Sequence, residues 1–453
     1  MELEELKNLI KNKKIKEFKE AIDKMEYIDV ASLIDSLSDE EQLIAFRMLP
    51  KDCAADVFAY LPSNSQEQII SSITDKEISN IIEDLYIDDA VDILDELPAS
   101  VVKRVLANAK PETRSILNQF LKYQKDSAGS IMTTEYIDLK ASNTVKDAIL
   151  KIRTQGRDKE EIYTCYVIDD SRHLIGVISV KTLLLSSDEE LISSLMDTTF
   201  IYSTTNEDKE DVTKKLQKYD LLALPVVDNE NRLVGIVTID DAIDVLQDES
   251  EEDFEKMAAM LPSNKPYLEM SVFSLYKNRI VWLLILMITG MITGAILQKF
   301  ENAIATLPLL VSFLPMLNDT GGNSGSQAAT MCIRALTTGE ITTKQWFKVW
   351  FKEFRVSILV SITLAIFNFA RIMLLQVDEP VDMRFKYSIV VCGTLILTVI
   401  FAKSIGALLP LIAKKLKLDP AVCASPMITT IIDCSTILIY FAFAMNVFSQ
   451  YIG

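Results

Sequence analysis

Residues 419–446, DPAVCASPMITTIIDCSTILIYFAFAMN, carry a single acid near their middle, Asp433. The segment is apolar and long enough to cross a hydrocarbon core of ~30 Å at ~1.5 Å of helical rise per residue. A carboxylate at membrane depth is costly, so it faces protein or water and marks an ion or proton path. Pro426 stands two turns before it, with Thr429, Thr430, Ser435 and Thr436 around it. A proline inside a span frees a backbone carbonyl, and hydroxyls can satisfy loosened backbone groups or line a wet cavity. The plain alternative is a protonated Asp433 hydrogen-bonded between helices. A second polar break in the same apolar region favours the functional reading.

Apolar runs at about 280–298, 303–336, 351–376, 386–410 and 421–448 predict five spans. The second is interrupted by Leu314-Pro315-Met316-Leu317-Asn318-Asp319-Thr320-Gly321-Gly322-Asn323-Ser324-Gly325-Ser326-Gln327. This composition predicts irregular backbone that lines a cavity or is buried in protein. Lys277 and Arg279 precede the first span. Arg334, Lys344, Lys348, Lys352 and Arg355 lie between the second and third, and Lys414, Lys415 and Lys417 between the fourth and fifth. The positive-inside rule then predicts a multi-pass protein of the cytoplasmic membrane, with its N-terminal half in the cytosol and its C-terminus outside. The opening MELEELKNLIKNKKIKEF reads as a charged amphipathic helix, not a signal peptide.

Charge is split unevenly. Residues 271–453 hold 15 Lys+Arg against 9 Asp+Glu, whereas residues 1–270 hold 31 against 55. So acidic a half argues against nucleic acid as a partner and for divalent cations. The six cysteines show no C-x-x-C spacing and read as free thiols rather than disulfides or a zinc site. With one histidine, His173, there is no H-E-x-x-H zinc helix, which removes a membrane metalloprotease from consideration. No enzyme activity is expected. A membrane-anchored nucleotide sensor would need neither five spans nor a buried acid.

Residues 1–127 repeat about every twelve residues: Leu49-Pro50, Leu61-Pro62 and Leu97-Pro98 share one phase, which Ile73-Thr74 and Leu85-Tyr86 also hold. Each unit reads as a short helix, a stop and a polar cap such as Ser63 or Asp88, stacked into an all-α superhelical N domain. In one unit Asp88, Asp92 and Asp95 are spaced to share a helix face. Residues 128–247 hold a two-fold repeat. Ser130-Ile131-Met132-Thr133 is echoed by Ser194-Leu195-Met196-Asp197, and Tyr166-Val167-Ile168-Asp169…Gly176-Val177-Ile178-Ser179 by Pro225-Val226-Val227-Asp228…Gly235-Ile236-Val237-Thr238. The first copy carries about five extra residues near Gly156-Arg157-Asp158. The pattern resembles a tandem pair of α/β CBS domains. That resemblance brings ATP as a candidate ligand, with Thr238 and Asp241 as the nucleotide-holding residues; the first copy has Thr182 where the acid would stand.

Nine acids, from Asp240 to Glu255, crowd into sixteen residues without a basic residue among them. A helix face this acidic repels itself unless cations bridge it, and oxygen-seeking Mg²⁺ or Ca²⁺ suits it. The full chain therefore reads as a multidomain membrane protein. It has a helical-repeat N domain over 1–127, the CBS pair over 128–247, an acidic connecting helix over 248–278 and a five-helix membrane domain over 279–453.

Pro315-Met316-Leu317-x-Asp319-Thr320-Gly321-Gly322-Asn323-x-Gly325-x-Gln327 and Asp419-Pro420-Ala421…Pro426…Asp433 together resemble the MgtE family of magnesium channels. The resemblance implies a homodimer in membrane lipid, with the ion path at the subunit interface and Asp433 as the pore carboxylate. It implies cytosolic Mg²⁺ sites on Asp88, Asp89, Asp92, Asp220, Asp241, Asp244, Glu249, Glu252 and Asp253, whose occupancy closes the pore. The alternative is a proton- or sodium-coupled carrier of divalent cations. Its mark would be a second titratable pair in the membrane, where only Asp433 stands centrally and Arg371 lies near a span end.

Overall fold

The computed structural model describes residues 3–263, 267–268, 270–423 and 425–452. They form two compact units, Met1–Gln247 and Asp248–Gly453.

The first unit opens with helices α1–α10: Leu3–Lys11, Ile15–Ile22, Tyr27–Asp35, Asp39–Met48, Lys51–Ala59, Ser63–Ser72, Asp75–Asp84, Ile87–Glu96, Ala99–Asn108 and Pro111–Phe120. From α4 onward each helix starts twelve residues after the last. The residues that close these units, Leu49, Leu61, Ile73, Leu85, Leu97 and Ala109, are all buried. Leu49 is extended (ψ 149°), as the position before a proline requires. Ser63 and Asp88 are not the caps expected of them. The caps are Pro62 and Tyr86, and Ser63 and Asp88 are the first and second residues of their helices. At Pro62 the ring's fixed φ already suits the extended cap position, so Ser63 moves one step inward. Where proline is missing, Thr74 accepts from the Glu77 amide while its own amide donates to the Glu77 carboxylate.

The two-fold repeat follows. One copy is β1 (Ile137–Lys140), α11 (Val145–Gln155), β2 (Thr164–Ile168), β3 (Leu174–Ser179), α12 (Val180–Leu185) and α13 (Ile192–Leu195). The other is β4 (Ser203–Thr204), α14 (Lys209–Tyr219), β5 (Ala223–Val227), β6 (Leu233–Thr238) and α15 (Ile239–Met257). In each, the first strand runs parallel to the second across a helical connection, and the third is antiparallel. The copies are stitched reciprocally. Thr133 exchanges backbone hydrogen bonds with Ile236 of β6, and Asp197 does so with Val177 of β3. Gly235 has no alternative: a Cβ there would lie 2.7 Å from the Met132 sulfur and 2.8 Å from the Thr133 carbonyl. The acidic connecting helix differs from expectation. It begins at Ile239, directly after β6, and ends at Met257 rather than running over 248–278. Residues 264–266 and 269 lie outside the described residues, and Val272 already belongs to the next helix.

The second unit holds α16 (Val272–Gln298), α17 (Glu301–Thr306), α18 (Leu314–Thr337), α19 (Trp346–Leu375), α20 (Val381–Lys415), α21 (Ser425–Val447) and α22 (Ser449–Ile452). Among the described residues four stretches are long and apolar enough to cross a membrane: α16, Thr343–Leu375, α20 and Pro426–Val447. The fifth expected span is α18, which is long enough but too polar to count by composition. Its backbone is not irregular. Leu314–Thr337 is continuous α-helix, so its amides are satisfied internally, and the irregular stretch is the 3-10 turn Pro308–Phe313 before it. Pro426 likewise sits at the second position of α21. There its missing N–H is harmless, and the Thr429 and Thr430 hydroxyls donate to its carbonyl.

Candidate metal centre and membrane acids

Three acids meet in the first unit. Asp88 from α8, Glu160 from the loop before β2 and Asp241 from α15 place one carboxylate oxygen each within 4.8 Å of one another. Local structure explains each position. Asp88 lies on the inner side of α8, flanked by the buried Ile87 and Ala90. Asp241 lies in the first turn of α15 and accepts a hydrogen bond from the buried Thr238 at the end of β6. Glu160 is held by backbone. Its amide donates to the Glu135 carbonyl (3.1 Å), and the preceding Thr133 is bonded to β6.

The electrostatics are those of an unfilled demand for positive charge. Burial, then Glu160 and Asp241, hold the Asp88 carboxyl well above the usual range. Burial, then Asp241, push Glu160 up to about 8, against hydrogen bonds from Thr133 and Thr238. Burial raises Asp241 to about 7, with Asp240 and Asp89 adding to it and Thr238 opposing. Burial, then Asp56 and Asp240, put Asp89 at about 6. Among the described residues, Asp88 Oδ1 and Glu160 Oε2 are buried without a hydrogen-bond partner. An oxygen-ligated divalent cation fits this donor set, whereas zinc would favour nitrogen or sulfur.

Other expected acids stand elsewhere. Asp92 and Asp95 are exposed, so the predicted shared face with Asp88 splits into an inner and an outer part. Asp220 is exposed at the left-handed C-cap of α14 (φ 51°), outside the trio. Asp244 is exposed, one turn along α15 from Asp241. In the second unit Glu252 is paired with Lys256 at 2.6 Å, and the same ammonium reaches Asp419 at 2.6 Å. Glu249 and Asp253 are close by on α15. Thr238 and Asp241, expected around a nucleotide, are drawn into the acidic trio. Sequence reasoning missed Glu160. Its signal was the length excess in the first repeat: residues 156–163 join α11 to β2, whereas three residues join α14 to β5.

In the membrane unit Asp433 is half-buried on α21, and among the described residues it has no hydrogen bond or ion pair. Next to α21, α18 turns Gly321, Gly322, Gly325, Ala328 and Ala329 inward and leaves Asp319, Asn323 and Gln327 exposed, a polar stripe at helical spacing. A second pair also appears. Lys403 of α20 is buried with its Nζ 3.5 Å from Glu353 of α19. Described cysteines are free thiols; the Cys423 side chain lies outside the described residues.

A unit of helical repeats and a CBS pair with an acid trio, followed in the chain by long apolar helices and a polar stripe, defines a membrane protein that handles cations. Known proteins agree. Residues 314–443 match the MgtE divalent cation transporter model, 25–126 the MgtE intracellular N domain, and 128–189 and 192–248 the CBS domain. The magnesium transporter MgtE of Thermus thermophilus is 33% identical over 94% of both chains, and that of Bacillus subtilis 31% over 96% of this chain and 95% of its own. The solved soluble part of a magnesium transporter (30% identity, TM-score 0.52) covers 55% of this chain. The cytosolic domain of the Mg²⁺ channel MgtE in complex with ATP (31%, 0.52) covers 54%. Each solved chain is covered essentially in full. The chain belongs to the MgtE family of divalent cation transporters.

Proposed function

We propose that this protein is a Mg²⁺-selective channel that imports magnesium across the cytoplasmic membrane and is closed by cytosolic Mg²⁺. The relatives named as magnesium transporters support the substrate. The carrying observation for regulation is the Asp88–Glu160–Asp241 trio, which joins the helical repeat to the CBS pair through one buried and two half-buried, mutually repelling carboxyls. A bound divalent cation supplies the charge that offsets this repulsion. Without it the acids hold protons or drive α8 and α15 apart, so the compact arrangement is favoured when magnesium is plentiful. The exposed acids Asp92, Asp220 and Asp244 and the half-buried Glu249, Glu252 and Asp253 add to the sensing charge in this reading. The cationic residues flanking the spans support a reading in which the N-terminal unit lies in the cytosol and the C-terminus outside.

In the membrane, Asp433 and the uncovered stripe Asp319, Asn323 and Gln327 would face a second copy across a two-fold axis, so that two Asp433 carboxylates attract one ion. Magnesium sheds water reluctantly, which suits passage in hydrated form past hydroxyl and amide groups. ATP is a further ligand of this reading, because the related cytosolic domain was solved with it.

The test is single-channel current in a planar bilayer with Mg²⁺ as the only permeant cation. Cytosolic-side Mg²⁺ is stepped from micromolar to millimolar, for the unaltered chain and for Asp433→Ala. Expected are current that shuts as Mg²⁺ rises and its loss in the variant. Current that ignores cytosolic Mg²⁺ would refute the sensor.

The ion pair of buried Lys403 with half-buried Glu353 favours a second reading, a coupled carrier, since ionisable pairs within spans are a mark of such carriers. Mg²⁺ uptake into vesicles at clamped voltage separates the two. A channel is indifferent to collapse of the proton gradient, whereas a proton-coupled carrier stops.

A further inference from the structure

A groove of about 540 Å³ opens where α19 begins and α20 ends. Its floor and wall are Leu408, Leu411 and Ile412, and its rim carries Thr343, Lys344, Trp346 and Lys415. Leu411 is buried, whereas Ile412 is 50% and Trp346 53% exposed. Neither Lys344 nor Lys415 makes an ion pair or hydrogen bond among the described residues, and both are exposed. The groove thus has an apolar slot along α20 topped by two unneutralised ammonium groups and an indole. All of it sits where two membrane-crossing helices end. Water at this level would leave the slot wet, and a zwitterionic headgroup would leave the two charges uncompensated. Tryptophan favours this boundary, and basic pockets beside spans favour anionic headgroups.

We propose that this groove is a binding site for an anionic phospholipid. The phosphate lies between Lys344 and Lys415, and one acyl chain follows Leu408, Leu411 and Ile412 into the bilayer. The charges match in sign, and the apolar slot is of no use to a free anion. The site is separate from Asp433 and from the acid trio, and it makes α19 and α20 sensitive to membrane composition.

The test is native mass spectrometry of the full chain, released from detergent with phosphatidylglycerol or with phosphatidylcholine of the same acyl chains. The unaltered protein is expected to retain one phosphatidylglycerol per protomer in preference to phosphatidylcholine. Each ammonium is expected to contribute about fivefold in affinity, corresponding to about 1 kcal/mol. Lys344→Gln/Lys415→Gln therefore loses the lipid, Lys344→Arg/Lys415→Arg keeps it, and Lys348→Gln, on the same membrane face outside the groove, is without effect. Ile412→Asp, which keeps both lysines but places a like charge in the slot, also loses it and decides the matter if the double variant fails to fold. Equal retention of phosphatidylcholine, unchanged retention in folded Lys344→Gln/Lys415→Gln or Ile412→Asp, or displacement of the lipid by millimolar inorganic phosphate would overturn the proposal.

Discussion

A Glu160→Gln chain is expected to lose most of the Mg²⁺-dependent stabilisation of its first unit while becoming less sensitive to pH in the absence of metal. The direction follows from proton linkage. Unfolded, Asp241 and Glu160 release protons near their ordinary values of 3.8 and 4.5; folded, they hold them up to about 7 and about 8. Between those limits the folded chain binds more protons than the unfolded one, so stability falls as pH rises. The penalty is absent below pH ~4 and complete above pH ~8. Magnesium offsets it only when the carboxyls are ionised. Calorimetry in chelator should therefore show a first-unit transition that drops from pH 6 to pH 8.5. Added Mg²⁺ should restore it strongly at the upper end and weakly at the lower. Glu160→Gln removes one carboxylate and frees Asp241 and Asp88 from its repulsion, so both effects shrink. Mg²⁺ affinity should fall roughly tenfold or more, as ligand charge sets affinity in oxygen sites. Hydrogen exchange in peptides covering α8 and α15 locates the change. A variant with unaltered Mg²⁺ response would remove Glu160 from the site and leave Asp88, Asp241 and the other acids to account for it.

Most of the architecture was legible because it is periodic. The twelve-residue step, the doubled Gly-containing strand pairs and the apolar runs are patterns that local sequence imposes on backbone. What escaped was set by tertiary contact. Glu160 belongs to no motif; it reaches Asp88 because extra residues in one repeat leave a loop pinned to Glu135 and thereby to β6. Asp88 and Asp92 share a predicted stripe, but neighbouring repeats bury one and leave the other wet. Lys403 and Glu353 belong to no motif in the sequence. Only the packing of α19 against α20 brings the buried Lys403 next to the half-buried Glu353. The polar run in α18 misled through composition. Its glycines and polar groups do not break the helix, because the helix supplies its own hydrogen bonds and its small residues let α20 and α21 approach.

That approach carries the other large effect. Gly406→Ala is expected to destabilise the membrane unit by several kcal/mol, at or beyond the upper end of the ~1–3 kcal/mol typical of overpacking. A Cβ at Gly406 would lie 2.2 Å from the Gly325 carbonyl oxygen, 3.1 Å from its carbon and 3.2 Å from the Ala328 methyl. The nearest of these is backbone, which cannot turn aside as a side chain can, so α18 and α20 must separate along their whole contact. Gly325 faces the same crowding from the other direction, its own Cβ position lying 2.4 Å from Ile432 and 3.2 Å from the Ala402 carbonyl. The two helices meet through paired glycines, and widening one contact widens both. Gly393→Ala on the same helix is the matched comparison. Its Cβ would meet only the Phe443 ring, at 3.0 Å, and a ring can shift by the few tenths required. Trp282, Trp346 and Trp350 all lie in the second unit, so fluorescence excited selectively at tryptophan reads this unit during heating. Gly393→Ala should unfold within a few degrees of the unaltered chain. Gly406→Ala should unfold far earlier or fail to give a monodisperse peak in detergent. Equal midpoints for the two variants would mean that α18 and α20 pass at an ordinary distance and that the glycines are tolerated rather than required.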